Sequence, residues 1–186
     1  MVPIPSLWLP ILLSAVLVFV ASWIIHLVLT YHRSDVKQLP NEDQVRAALR
    51  PLGIPPGDYV IPWSSGPREM KTPEYQEKLH QGPVAFLTVL PNGPMTMGTQ
   101  LVQWFLYCVV VGIVAAYVAG RTLEPGETYF AVFRIAGTVA FAGYGLALIQ
   151  RAIWWRQNWG ATWKSVFDAL IYGLVTAGAF AGFWPR

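Results

Sequence analysis

The sequence predicts an all-α integral membrane protein of about four transmembrane helices, with a small α+β cytoplasmic insertion between helices 1 and 2. Three observations predict it. Of 186 residues, 54% are hydrophobic and only 12% charged, where a soluble domain carries about 25% charged residues. Charges are scarce on surfaces that face hydrocarbon, because each costs about 2.5–3.5 kcal/mol at mid-depth. Nine tryptophans suit the headgroup zone, where an apolar ring with one N–H is at home. Lastly, four apolar stretches reach the roughly 20 residues that a crossing helix needs.

The first stretch covers about 7–31. Met1 to Ser6 contain no Lys or Arg, and the apolar run outlasts the core of a signal peptide, so it reads as an uncleaved anchor. Pro3, Pro5 and Pro10 suit a loop or a first helical turn, where a missing N–H costs little. The second stretch is about 99–120 and the third about 128–150. The fourth, 163–184, is bracketed by Trp163 and Trp184, roughly 31 Å apart along a helix axis and so matched to a bilayer core. The chain then divides into helix 1 (1–31), a water-facing segment (32–98) and a three-helix bundle (99–186).

Orientation follows from the cations. With four spans, 32–98 and 151–162 share a side that holds Arg33, Lys37, Arg46, Arg50, Arg68, Lys71, Lys78, Arg151 and Arg156, with Lys164 close by. The other side has only Arg121 and Arg186 outside the spans. The positive-inside rule makes the crowded side cytoplasmic and both termini external, as expected in a bacterial inner membrane. A net charge of +3 and a pI near 9.1 are then a matter of topology, and nucleic acid is not an expected partner.

Within 32–98, residues 41–50 (NEDQVRAALR) read as an amphipathic helix begun by Asn41 and stopped by Pro51. Thr72, Pro73 and Glu74 start a second, closed by Gly82. The runs 58–61 and 84–90 are β-like, which gives an αβαβ order. So few residues, rich in proline, make a poor independent core. The segment is expected to lie on the membrane face or on a partner.

His26 is the most suggestive single residue. Ser22, His26 and Thr30 recur every four residues, a polar strip on an otherwise apolar helix. It serves an interhelical hydrogen bond, or a neutral imidazole that ligates a tetrapyrrole metal. The string ASWIIHLVL resembles the membrane helix of bacterial light-harvesting alpha polypeptides, in which a small residue stands four positions before a ligand histidine. The resemblance covers about a dozen residues, those polypeptides cross the membrane once, and it implies a pigment ligand at His26. His32 and His80 fall outside the spans, so a bis-histidine haem within one chain is not expected.

Arg134, in the third span, reads as an anion contact or as a cation reaching outward to Glu127 or Glu124. Asp168, in the fourth, shares a strip with Lys164, Tyr172 and Thr176, and Gln103 and Tyr107 should lie at its depth. A hydrogen-bonded polar cluster is the expected arrangement. Arg134 and Asp168 fall near opposite membrane faces, so no charged relay is expected to cross the chain.

Small residues predict close packing. Gly112, Ala116 and Gly120 fall four apart, Ala136, Ala140, Gly143 and Ala147 line the third span, and Gly173, Ala177 and Ala181, beside Gly178 and Gly182, line the fourth. Helices 2 to 4 are expected to form the compact bundle, with helix 1 looser or shared with a neighbour. Trp154, Trp155, Trp159 and Trp163, between Arg151, Arg156 and Lys164, form an interfacial belt or a docking surface for anionic lipid or a partner.

Catalytic signatures do not occur. GIPPGD and SSGP lack the Lys-Ser/Thr of a phosphate loop, and no nucleophile elbow or helical histidine pair for a metal is present. Cys108 is the only cysteine, which excludes an internal disulfide and any cysteine-based metal site. The expected function is a non-catalytic accessory subunit of a larger membrane complex, for instance an electron-transfer or photosynthetic assembly, whose partners are other membrane subunits and lipids. The alternatives are a small oligomeric transporter or channel, and a pigment- or quinone-binding membrane protein. A tetrapyrrole or a quinone is the cofactor class the sequence allows.

Overall fold

A computed structural model describes residues 1–186. The chain is mostly helical, with four helices long and apolar enough to span a membrane and a small two-stranded sheet. In chain order they are α1 (Ile4–Val28), α2 (Glu42–Leu49), β1 (Gly57–Ile61), α3 (Pro73–Gln81), β2 (Ala85–Val89), α4 (Gly98–Thr122), α5 (Tyr129–Trp154) and α6 (Trp159–Gly182). Two compact units result, one of Met1–Lys37 with Thr96–Arg186 and one of Gln38–Met95.

In the first unit, α1, α4, α5 and α6 form an antiparallel bundle. Thr128 Oγ1 accepts from the Ala131 N–H to start α5, and Asn158 Oδ1 accepts from Gly160 and Ala161 to start α6, satisfying N–H groups that a helix start otherwise leaves bare. One end of the bundle is fastened around Trp184, whose indole N–H donates to the Glu124 carbonyl at 3.0 Å. At the same end the Val2 N–H donates to the Gly120 carbonyl at 2.8 Å, and the Met1 ammonium meets Glu124.

The interior is built from small residues. Leu7, Ile11, Ala115, Ala116, Ala119, Val132, Ala136 and Phe180 fill the Trp184 end, and Ala15, Val18, Cys108, Val111, Ala140, Tyr144, Ala169 and Tyr172 the other. Helix 1 is therefore an integral member of the bundle, a correction to its expected looseness. Leu7, Ala15 and Val18 are wholly buried, and a Cβ at Gly112 would stand 3.3–3.5 Å from Ile11. That glycine lets α4 close on α1.

The small-residue stripe of α5 also needs correcting. A π turn at Ala142–Leu146 inserts an extra residue, which rotates the following turns about the axis. Ala136 and Ala140 are buried as expected, but beyond the bulge Tyr144 and Gly145 are the buried residues, Ala147 is exposed, and Gly143 lies against α4, where a Cβ would stand 3.3–4.0 Å from Val111. The closest approaches to α6 come at Gly137, opposite Ala177, and Gly145, opposite Ala169. On α6, Gly173 and Ala177 lie inward and Gly182 meets open space.

The second unit has the αβαβ order. β1 and β2 pair antiparallel, Tyr59 opposite Leu87. Thr72 Oγ1 accepts from the Tyr75 N–H at 3.3 Å and Pro73 opens α3, while Gly82, at φ +60°, ends it. Asn41 does not cap α2. It sits in the left-handed region at φ 52° and its side chain makes no capping bond. Asparagine tolerates that conformation better than most residues, and here it turns the chain into the helix.

Candidate functional site

At the bundle end opposite Trp184, α1 unwinds in an unusual way. Its last turn, Ile24–Val28, is a π turn that contains His26. Leu29 is extended (φ −79°, ψ 139°), which breaks the helix, and a 3₁₀ turn at Tyr31–Ser34 follows. The chain thereby doubles back, so residues beyond the expected span return to the bundle. Thr30 leaves the helical strip, and the polar column Ser22–His26 ends one turn early.

The result is a connected polar cluster around Asp168, which is only 2% exposed. Tyr31 Oη donates to Asp168 Oδ1. His32 Nε2 lies 2.8 Å from Asp168 Oδ2, and His32 Nδ1 lies 2.6 Å from Asp35 Oδ2. Lys164 Nζ donates to Asp35 Oδ1 at 2.7 Å, to the Tyr31 carbonyl at 2.6 Å and to Ser34 Oγ at 2.7 Å. A buried carboxyl group needs hydrogen-bond partners, and Asp168 has Tyr31 on one oxygen and His32 on the other.

Electrostatics at the rim follow from these contacts. Burial opposes charge on Asp35, but the hydrogen bonds from Lys164 and His32 outweigh it and hold that carboxyl below its ordinary value. Burial, reinforced by the bond to Asp168, pushes the Tyr31 phenol well above its ordinary value. Tyr31 stays a neutral donor.

His26 joins from the side. Its ring lies parallel to that of His32, 4.7 Å between centroids. Nδ1 is 3.0 Å from the Ser22 carbonyl, a bond within α1, so the expected interhelical bond does not involve His26. That role falls to Ser22, whose Oγ accepts from the Trp104 indole at 2.8 Å while donating to the Phe19 carbonyl.

The expected composition of the Asp168 cluster is corrected on several counts. Lys164 bonds to Asp35, Ser34 and Tyr31 rather than to Asp168. Gln103 is exposed and takes no part. Tyr107 Oη donates instead to the Gly143 carbonyl at 2.5 Å. The hydroxyls of Tyr172 and Thr176 are buried without a hydrogen-bond partner. Arg134 pairs with neither glutamate, since its Nε donates to the Phe130 carbonyl at 3.1 Å and Glu124 takes the Met1 ammonium. Tyr31, His32 and Asp35 are the cluster members that sequence reasoning missed. The unusual density of polar residues in TYHRSD, immediately after the span, was the available signal.

Beneath the cluster a cleft of about 370 Å³ opens between α1, α4, α5 and α6. Phe19, Trp23, Leu27, Leu101, Trp104 and Leu148 give it apolar walls, and His26, Asp168 and Tyr172 its polar end. Trp104, Tyr107, Tyr144 and Tyr172 stack edge and face at 5.5–6.0 Å. Such a chamber has the usual make-up of a small-molecule site: apolar walls with a few convergent polar groups. Trp154, Trp155, Trp159 and Trp163 are all exposed, and Trp159 stacks on Trp163 at 6.1 Å.

Comparison with protein-family models, curated proteins and solved structures finds no match to this chain.

Proposed function

We propose that this chain is a non-catalytic accessory subunit of a larger membrane complex, anchored by its four helices and docked to a partner subunit through residues 38–95. One observation carries the reading. In that whole segment a single side chain, Tyr75, is buried, while Leu52, Trp63, Met70, Val84 and Leu90 are exposed. A unit of this size with one buried side chain gains little from its own core, and a partner that covers these apolar side chains would supply the burial it lacks. A groove of about 450 Å³ lined by Arg46, Leu49, Arg50, Ile54, Leu87 and Val89 fits a partner segment that carries carboxylates among aliphatic side chains.

The segment lies on the cytoplasmic side of a bacterial inner membrane, with both termini outside, by the distribution of Lys and Arg. The exposed tryptophans where α5 ends and α6 begins sit in the headgroup layer beside Arg151 and Lys164. Extraction in mild detergent should bring down a larger membrane subunit in stoichiometric amount, and the pair Arg46→Glu and Arg50→Glu should release it. Recovery as an isolated protein from native membranes contradicts the reading.

A second reading, that the bundle also holds a lipid-soluble quinone or pigment, is favoured by the Tyr172 hydroxyl. It lies in the cleft wall, buried and without a partner, and an unmet buried hydroxyl costs about 1–3 kcal/mol. A ring carbonyl in the cleft would accept from it. Organic extraction of the purified protein should yield such a compound, and Tyr172→Phe should lower its retention. Clean extracts from wild type speak against this reading alone.

A further inference from the structure

We infer that His26, His32 and Asp168 form a binding site for a first-row divalent transition cation where α1 ends against α6. One ring nitrogen of each histidine and one carboxylate oxygen of Asp168 lie within 4.8 Å of one another. Around a metal with bonds of about 2.0–2.2 Å, neighbouring ligand atoms stand about 3.0–3.6 Å apart. His32 Nε2 and Asp168 Oδ2, at 2.8 Å, are already near that separation. His26 has the longer movement to make, on the order of 1 Å, and its side chain is exposed on a π turn.

The surroundings are those of metal ligands rather than of a bare ion pair. A ligating imidazole commonly donates its other N–H to a carbonyl or a carboxylate, which fixes the tautomer and aims the ring. Both arrangements occur. His26 Nδ1 faces the Ser22 carbonyl at 3.0 Å, leaving Nε2 for the cation. His32 Nδ1 faces Asp35 at 2.6 Å, and Asp35 is fixed in turn by Lys164 at 2.7 Å.

The donor set selects the metal class. Two imidazoles and one carboxylate suit Zn²⁺, Fe²⁺ or Co²⁺, whereas Ca²⁺ and Mg²⁺ want oxygen ligands throughout. Three protein ligands leave a coordination position open, and two of the three, His26 and Asp168, also line the cleft. Neither the partner nor the quinone reading is needed for this site.

Co²⁺ is the probe. The full chain in lipid nanodiscs, stripped with chelator and titrated with Co²⁺, should bind one ion per chain with visible ligand-field absorption, displaced by Zn²⁺. X-ray absorption of the zinc form should show two imidazoles and oxygen at about 2.0–2.2 Å. His26→Ala or His32→Ala should abolish the band, Asp35→Asn should weaken binding about 10–100-fold, and His80→Ala should leave it unchanged. Helicity and elution volume check that each variant folds. The inference is overturned if the folded native protein shows no cobalt band, leaving His32 simply clasped between two carboxylates, or if the band survives His26→Ala combined with His32→Ala.

Discussion

Lys164 Nζ stands 2.7 Å from Asp35 Oδ1, a contact that ties the start of α6 to the turn leaving α1. The same ammonium also holds the Tyr31 carbonyl and Ser34 Oγ. One cation thereby fixes the path of a segment whose backbone has left the helix and has lost the intrahelical bonds that would otherwise define it.

Lys164→Met keeps the aliphatic stem and removes all three bonds. The variant should lose about 1–3 kcal/mol of stability, the scale for leaving charged and polar partners unmet, discounted toward the lower end by partial exposure. Thermal unfolding in detergent reads it. Trypsin should also cut faster after Arg33, because the 3₁₀ turn is no longer held.

Trp104→Phe retains the ring packing and deletes the N–H bond to Ser22. We expect a loss of about 1 kcal/mol. Ser22→Ala should cost a similar amount, and the double variant should cost less than the sum, since each change removes the same bond. Strict additivity would show that the bond carries no energy.

The contact points of α5 and α6 give a sharper test. A Cβ at Gly137 would lie 2.8 Å from the Ala177 Cβ, whereas one at Gly182 meets nothing within 4 Å. Gly137→Leu should lower the melting temperature by the equivalent of about 1–3 kcal/mol, the usual cost of overpacking. Gly182→Leu should leave it nearly unchanged.

Glu69 provides a pH signature in the second unit. Ser65 donates to its carboxylate through both Oγ and the backbone N–H, which holds its carboxyl below the ordinary glutamate value. A depressed value means that the turn is favoured above the ordinary glutamate range and loses this support as pH falls through the depressed value. A ¹³C titration should place the midpoint low, and Ser65→Ala should move it up.

The apolar architecture was legible because it rests on composition and period. Spans of about 20 apolar residues declare themselves, and 58–61 and 84–90 carry enough β-branched and aromatic residues to announce a strand pair. What escaped were departures from helical period. The π turn at Ala142–Leu146 puts Gly145 rather than Ala147 against α6, and a fixed spacing rule cannot register an inserted residue. The end of α1 hid its chemistry similarly. Six positions apart, His26 and His32 do not share a face of a continuous helix. They meet only because Leu29 goes extended and the following turn folds back. Asp168 was identifiable by its depth, but its partners come from the chain beyond the first span. The polar run TYHRSD marks that chain as unusual, but which distant residue it meets has no local mark.

The proposed orientation, and with it the side on which a partner would dock, depends on which water phase meets each end of the bundle. In a Cys108→Ser background, Glu74→Cys and Glu127→Cys place single thiols in the insertion and in the α4–α5 turn. Cells treated with a membrane-impermeant maleimide should label position 127 at once and position 74 only after lysis. Labelling of position 74 from outside, with position 127 protected, would contradict the account.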